Sequence, residues 1–166
     1  MDSPACPETG APMQRDIRPM TLEYQNQRMT FEMPGWYCES SGQSIHTGED
    51  MKVSDRVLNQ LKASVEGLPL PAEIRRVRVK LGLSQEKAGE LIGGGPRAFQ
   101  KYEAGDLLPS RGIASALALL DHHPAGLAVL SARALAGSHR ALVGEALVCT
   151  TVLNASNGSS SAGRGR

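Results

Sequence analysis

Apolar residues recur at helical spacing through the second half of the chain and in short runs through the first. From 50 to 66, Val53, Val57, Leu61 and Val65 fall about one turn apart, which predicts a helix. Gly67-Leu68-Pro69-Leu70-Pro71 ends it. Two prolines two apart force extended backbone, so 67–71 reads as a linker between a 1–66 module and a 72–136 domain. Residues 72–81 place Ile74, Val77 and Leu81 on one stripe, and 111–120 place Ile113, Ala116, Leu117 and Leu120 on another. After His122-His123-Pro124, the positions Leu127, Leu130 and Ala134 predict a last helix, with the two histidines exposed at the junction. Earlier, 21–24 and 29–33 read as short strands around Asn26 and Gln27, a small hairpin without the favoured Asn-Gly turn. Beyond 137 the signal fades. The run 142–153 fits a short helix or a strand, and 154–166 is rich in Gly, Ser and Ala, so the 137–166 tail is expected to be largely disordered.

The sharpest pattern lies between Ser84 and Gly105. Ser84 is suited to cap a helix that turns Ala88, Leu91 and Ile92 inward. Gly93-Gly94-Gly95 permits a sharp reversal, because glycine accepts positive φ without steric cost. A second helix is expected from Pro96 at its first position to a stop at Gly105. With Arg97 at zero and about 100° per residue, Gln100 falls near about 300° and Lys101 near about 40°. Ala98, Phe99 and Tyr102 fall near about 100°, 200° and 140°, on the other side. One face is cationic and amide-bearing, the other apolar.

That is how a helix-turn-helix presents a recognition helix to the DNA major groove. With predicted helices on both sides, 72–136 has the outline of an all-α, lambda-repressor-like domain. The chain as a whole reads as α+β, a small N-terminal β-hairpin module followed by the helix-turn-helix domain. Arg97, Lys101 and Gln100 are the candidates to meet bases, Arg97 reading guanine or clamping a phosphate. Ser84, Gln85 and Arg111 are candidates for phosphate.

Composition changes this picture little. The 166 residues carry a net charge of +1, so a DNA-binding surface has to concentrate its cations locally. Arg75-Arg76-Val77-Arg78-Val79-Lys80, with Arg97, Lys101 and Arg111, offers such a concentration. No run is apolar enough to span a membrane, and no secretory signal opens the chain. Cys6, Cys38 and Cys149 are too few and too scattered for a disulfide framework, so a cytoplasmic location is expected. The chain has no His-Glu-x-x-His, P-loop or Gly-x-Ser-x-Gly elbow, and no catalytic residue is assigned.

Cys6-Pro7-Glu8-Thr9-Gly10 and Cys38-Glu39-Ser40-Ser41-Gly42 have the outline of the two knuckles of a zinc ribbon. Tetrahedral zinc needs four ligands, two from each knuckle, and here Thr9 and Ser41 stand in the second place of each pair. Neutral hydroxyls are poor zinc ligands beside thiolate, so no metal or other cofactor is expected. His46 is the nearest replacement ligand for a residual Cys6, Cys38, His46 set. A small core in which both cysteines act as compact hydrophobes explains them better. Met29 and Phe31, on a strand able to extend a partner's sheet, and Trp36 or Tyr37 as anchor, are the candidates for binding a protein partner.

The combination of Cys6-Pro7, Pro34-Gly35-Trp36-Tyr37-Cys38, Ser44-Ile45 and Gly93-Gly94-Gly95-x-x-Ala98-Phe99-x-x-Tyr102-Glu103-x-Gly105 resembles the MqsA-type antitoxins of bacterial toxin–antitoxin pairs. The resemblance runs from Cys6 to about Leu130. It implies an N-terminal module that neutralises a small mRNA-cleaving ribonuclease toxin. It also implies a homodimer that represses its own operon at a palindromic operator on double-stranded DNA. Pairing through the C-terminal helices would set two recognition helices about one DNA turn apart. The family's base-contacting positions fall on Arg97 and Lys101, where the family commonly has Asn and Arg, so a different operator sequence is expected. The alternative is a stand-alone helix-turn-helix regulator whose N-terminal module senses a ligand or a protein.

Overall fold

The computed structural model describes residues 3–136. The expectations for 137–166 lie outside the described residues. The chain divides into two units after Pro124.

In the first unit, β1 (Gln14–Tyr24) and β2 (Gln27–Tyr37) run antiparallel along their whole length, from Gln14 opposite Tyr37 to Tyr24 opposite Gln27. A short β3 (Ser44–Ile45) pairs with β2 at Trp36 and Tyr37. Each arm of the hairpin is 11 residues, far longer than the runs 21–24 and 29–33. The turn is Gln25–Asn26 rather than Asn26–Gln27, and both residues have positive φ, 45° and 65°. That is the mirror-image turn whose twist matches the strands it joins.

Pro19 and Pro34 disguise the hairpin's length. Pro19 lies on the edge strand β1. The Pro34 carbonyl accepts a hydrogen bond from His46 Nδ1 at 2.9 Å, on the side away from β1. A strand residue's N–H and C=O point the same way, so the donor that Pro34 lacks is one the β1–β2 ladder does not use.

The two faces of the sheet differ. Met29, Phe31, Met33 and Tyr37 of β2, with Met20, Leu22 and Tyr24 opposite, share the more buried face. There the Tyr24 hydroxyl donates to Glu66 of α1 (Gly48–Glu66) at 2.8 Å. The other face carries the Thr21–Thr30 hydroxyl pair at 2.9 Å, the Arg28–Glu23 ion pair and an exposed Ile17.

At the start of α1, the buried Asp50 carboxylate receives four donors. Two are Arg15 nitrogens at 2.9 and 2.5 Å, and two are the Thr47 N–H and hydroxyl at 2.8 and 2.9 Å. Asp50 stands at the third helical position, where it can reach back to the cap. The Arg15 guanidinium, helped by Thr47, holds the carboxyl well below the usual carboxylate range against the effect of burial. A carboxyl lowered by folding stabilises above its unfolded value of about 4 and loses that contribution as pH falls toward the folded value. Asp50→Asn is therefore expected to cost about 1–3 kcal/mol near neutral pH. It should also flatten the fall in melting temperature between about pH 5 and 3. Equal acid sensitivity of variant and wild type in a pH series of thermal melts would refute the role given to Asp50.

Four helices form the bundle: α2 (Pro71–Lys80), α3 (Gln85–Leu91), α4 (Ala98–Ala104) and α5 (Arg111–His122). Ile74, Val77, Ala88, Ala98, Phe99, Tyr102 and Leu117 are its buried core, with Leu81, Leu83, Ile92 and Ile113 packed around them. The helices of the 72–81 and 111–120 patterns begin or end within two residues of their expected limits. Helix α1 meets the bundle through Asn59, which donates to the Gly105 carbonyl at 2.9 Å, and through the Arg56–Asp106 ion pair at 2.7 Å. His122 and His123 are exposed. Pro124–Gly126 makes a 3-10 turn. In the second unit, residues 127–136 are helical, with Leu127 and Leu130 half-buried and the Ser131 hydroxyl donating to the Leu127 carbonyl at 3.0 Å. No helix of the described residues is long and apolar enough to cross a membrane.

Candidate nucleic-acid interface and the paired knuckles

Helix α3 begins at the Ser84 cap, whose hydroxyl accepts from the Lys87 N–H at 3.1 Å. The reversal to α4 runs through Gly93, Gly94 and Gly95, with φ of 124°, 95° and 90°. At Gly94 even an alanine would crowd Ala98 and the Tyr102 hydroxyl, so the turn needs glycine for space as well as for φ. Pro96 does not start the helix. The Ala98 N–H bonds to the Gly95 carbonyl at 3.1 Å, so Pro96 and Arg97 form the middle of a tight turn, and Arg97 is the residue before the first helical one. The fixed φ of proline suits that turn position as well as a helix start.

The register of the two faces follows the angular reading. Ala98, Phe99 and Tyr102 are buried, and Phe99 stacks edge-on against Tyr102 with ring centroids 5.7 Å apart. Arg97, Gln100 and Lys101 are exposed, as is Arg111 at the start of α5. Arg97, Lys101 and Arg111 make no ion pair among the described residues.

The basic run 75–80 behaves differently. Arg76 and Lys80 both bind Asp121 of α5, at 2.6 and 2.8 Å. Arg78 grips Glu103 of α4 with two nitrogens, at 2.5 and 3.0 Å, and Gln85 adds a third bond to that carboxylate at 2.8 Å. Burial raises the Glu103 carboxyl, but the bonds from Arg78 and Gln85 outweigh it and hold it below its ordinary value. Three of the four cations of the run are thus paired with acids of α4 and α5, Arg75 staying exposed without an ion pair among the described residues, and the Gln85 amide points inward. Around α4 and the start of α5, Arg97, Lys101 and Arg111 form a group of exposed cations with no ion pair among the described residues. Nothing in the sequence marks Asp121 and Glu103 as the acids that meet this run, because both lie far from it along the chain.

In the N-terminal module the two knuckles have matching backbones. Gly10 N–H bonds to the Cys6 carbonyl at 2.8 Å and Gly42 N–H to the Cys38 carbonyl at 2.9 Å, with φ of 70° and 71° at the glycines. Side chains cross between them: Cys6 Sγ lies 3.3 Å from Ser41 Oγ, and Cys38 Sγ lies 3.6 Å from Thr9 Oγ1. Ser40 Oγ adds a contact to Cys38 Sγ at 3.1 Å. Cys6 and Cys38 are free thiols, buried with Met13 beside Trp36 and Ile45. The hydroxyls of Ser40, Ser41 and Thr9 hold the Cys38 thiol down to about 5, against its burial. Two thiols and two neutral hydroxyls do not fit a structural zinc ion, which takes nitrogen and sulfur ligands or carboxylates. His46 does not join the cysteines. Its ring bonds to the Pro34 carbonyl and, at 3.1 Å, to Ser44, and stands edge-on to Tyr37.

Of the candidate partner-binding residues, Met29 and Phe31 are half-buried on the same face of the sheet as Tyr24, which bonds to α1. Tyr37 is buried, and its hydroxyl donates to the Met33 carbonyl at 2.8 Å, so its ring belongs to the core. Trp36 remains half-buried, with the Arg15 guanidinium 5.9 Å from its ring centre. Among the described residues, β1 has a strand on one side only, and β2 meets β3 only at Trp36 and Tyr37.

Comparison with known proteins agrees with this architecture. Over residues 1–130 the chain matches the family described as the antitoxin component of bacterial toxin–antitoxin system, MqsA. It is also similar to antitoxin MqsA of Escherichia coli (strain K12), 36% identical over 91 residues, which are 54% of this chain and 70% of that protein. The 1–130 span of the family match takes in both knuckles, the hairpin and the whole turn between α3 and α4, and the chain belongs to the MqsA family of toxin–antitoxin antitoxins.

Proposed function

We propose that this chain neutralises a small mRNA-cleaving ribonuclease toxin through its N-terminal sheet module. We further propose that it represses its own operon as a homodimer bound to a palindromic operator. The observation that carries the DNA reading is α4. Its buried side is pinned by Phe99 and Tyr102, while Arg97, Gln100 and Lys101 are exposed, the two cations without ion pairs among the described residues. A helix held so firmly also fixes the turn residue Arg97 just before it, and so can place that guanidinium, with Lys101 on the helix itself, against base edges. For the toxin, the open sheet edge is the favoured contact. Its backbone groups can pair with a strand of the partner, and Trp36 stands near one end as an anchor.

Arg97→Ala is expected to reduce discrimination between the preferred duplex and single-base variants by about 1–3 kcal/mol per half-site. Competition binding with the full chain at fixed salt measures it. Unchanged affinity together with unchanged preference would remove Arg97 from base reading. Co-expression with a toxin-like protein encoded beside it tests the other half. Co-purification and restored growth are expected, and their absence would overturn the antitoxin half of the proposal.

A further inference from the structure

A shallow recess of about 290 Å³ opens where the glycine turn meets the start of α4. Arg97 and Lys101 line it together with Pro96, Ala98 and Leu107. Leu107 is the unexpected member. It follows the helix stop at Gly105, and its side chain is 46% exposed, although the next residues, Leu108 and Pro109, turn inward. Its position is held by its neighbours. The Asp106 N–H bonds back to the Lys101 carbonyl at 2.9 Å, and the Asp106 carboxylate is tied to Arg56 at 2.7 Å. The only acid of this loop is therefore neutralised, and an apolar side chain is left beside two cations that have no ion pair among the described residues.

A surface of that chemistry matches a partner that offers anionic or acceptor groups beside a small apolar group. The major groove of DNA does so wherever thymine stands near guanine or a phosphate. The thymine C5-methyl is the one apolar group on the groove floor, and guanine O6 and N7 or phosphate oxygens take the cations. We propose that Leu107 is a specificity-determining residue that reads a thymine methyl in the operator, beside the bases met by Arg97 and Lys101. This rests on the DNA-binding reading given above.

The test uses the full chain and a duplex selected from a randomised pool. Each thymine of the selected site is replaced singly by deoxyuridine, which removes the methyl and leaves the hydrogen-bonding pattern intact. Wild type should bind about fourfold more weakly at one thymine per half-site, the change that goes with one methyl returned to water. Leu107→Ala should bind the thymine and deoxyuridine duplexes equally well at that position. Sensitivity at no thymine, or the same sensitivity in Leu107→Ala, would overturn the assignment while leaving DNA binding in place. A uniform loss of affinity in Leu107→Ala across all duplexes would also overturn it, by making Leu107 a backbone contact. Failure to select any duplex would overturn the DNA-binding reading itself, and this inference with it.

Discussion

The double substitution Thr9→Cys, Ser41→Cys is expected to turn a chain expected to bind no zinc into one that binds one zinc ion tightly. The knuckle backbones already have the required form, with matched turns at Gly10 and Gly42. The four side chains already converge, since the sulfur–oxygen pairs that cross between the knuckles lie 3.3 and 3.6 Å apart. Four ligands at about 2.3 Å from a tetrahedral zinc stand about 3.8 Å from one another, so little rearrangement is needed. The Cys6 and Cys38 thiols are both held below their ordinary value by neighbouring hydroxyls, so loss of their protons to a metal meets little resistance. Structural zinc in small thiolate sites is worth about 10–16 kcal/mol of apparent binding near neutral pH, far more than any hydrogen bond it replaces. Native mass spectrometry should find one zinc per chain in the double variant. Its melting temperature should fall on addition of a chelator, while that of the wild type should not move. A double variant purified without metal, or a wild type that melts early in chelator, would refute this account of the knuckles. In the wild type, the module is held by the crossed thiol–hydroxyl contacts and the small core of Met13, Trp36 and Ile45 around the two sulfurs.

The parts of the molecule that were legible in the sequence are those in which a local rule decides. Ser84 caps because a hydroxyl just before a helix finds free N–H groups, and Gly93 to Gly95 turn because no other residue tolerates those φ values. The two faces of α4 follow from its period alone. The hairpin was only half legible. Proline argues against strand wherever it falls, and only the pairing shows that Pro19 lies on an edge strand and Pro34 faces away from its partner. The pairing of the charges of 75–80 was hidden for a similar reason. The sequence shows the basic run, but only packing brings Asp121 and Glu103 to Arg76, Arg78 and Lys80. Asp50 had a usable signal, since an acid three places after Thr47 is a capping pattern, but its bond to Arg15 joins strand to helix and has no local mark. Leu107 had none, because an apolar residue next to Leu108 and Pro109 reads as core until its exposure is seen.

Gly89 provides the largest expected loss of stability. It stands inside α3, and a Cβ there would lie 2.0 Å from the Gly95 carbonyl oxygen and 2.8 Å from its carbon. Both are backbone atoms of the turn, so no side-chain rotation relieves the contact. The Gly95 N–H also donates to the Gly89 carbonyl at 3.2 Å, so the turn cannot withdraw without losing that bond. Alanine is favoured over glycine inside a helix by about 1 kcal/mol, which works in favour of the substitution. Overpacking a tight interior typically costs about 1–3 kcal/mol and sometimes more, and here the third atom in reach is Pro96 Cα, again backbone, at 3.3 Å. The clash with backbone puts Gly89→Ala at the upper end, a net loss of about 2–4 kcal/mol. Because the turn sets the angle between α3 and α4, DNA binding should fall with it. Gly112→Ala, near the start of α5, is the matched control. Its Cβ would meet nothing nearer than the Ser110 hydroxyl at 3.8 Å, so helix propensity acts alone and the variant should melt at or above the wild-type temperature. If the two variants shifted the melting temperature alike, the close approach of α3 to the turn would not be what requires glycine at position 89.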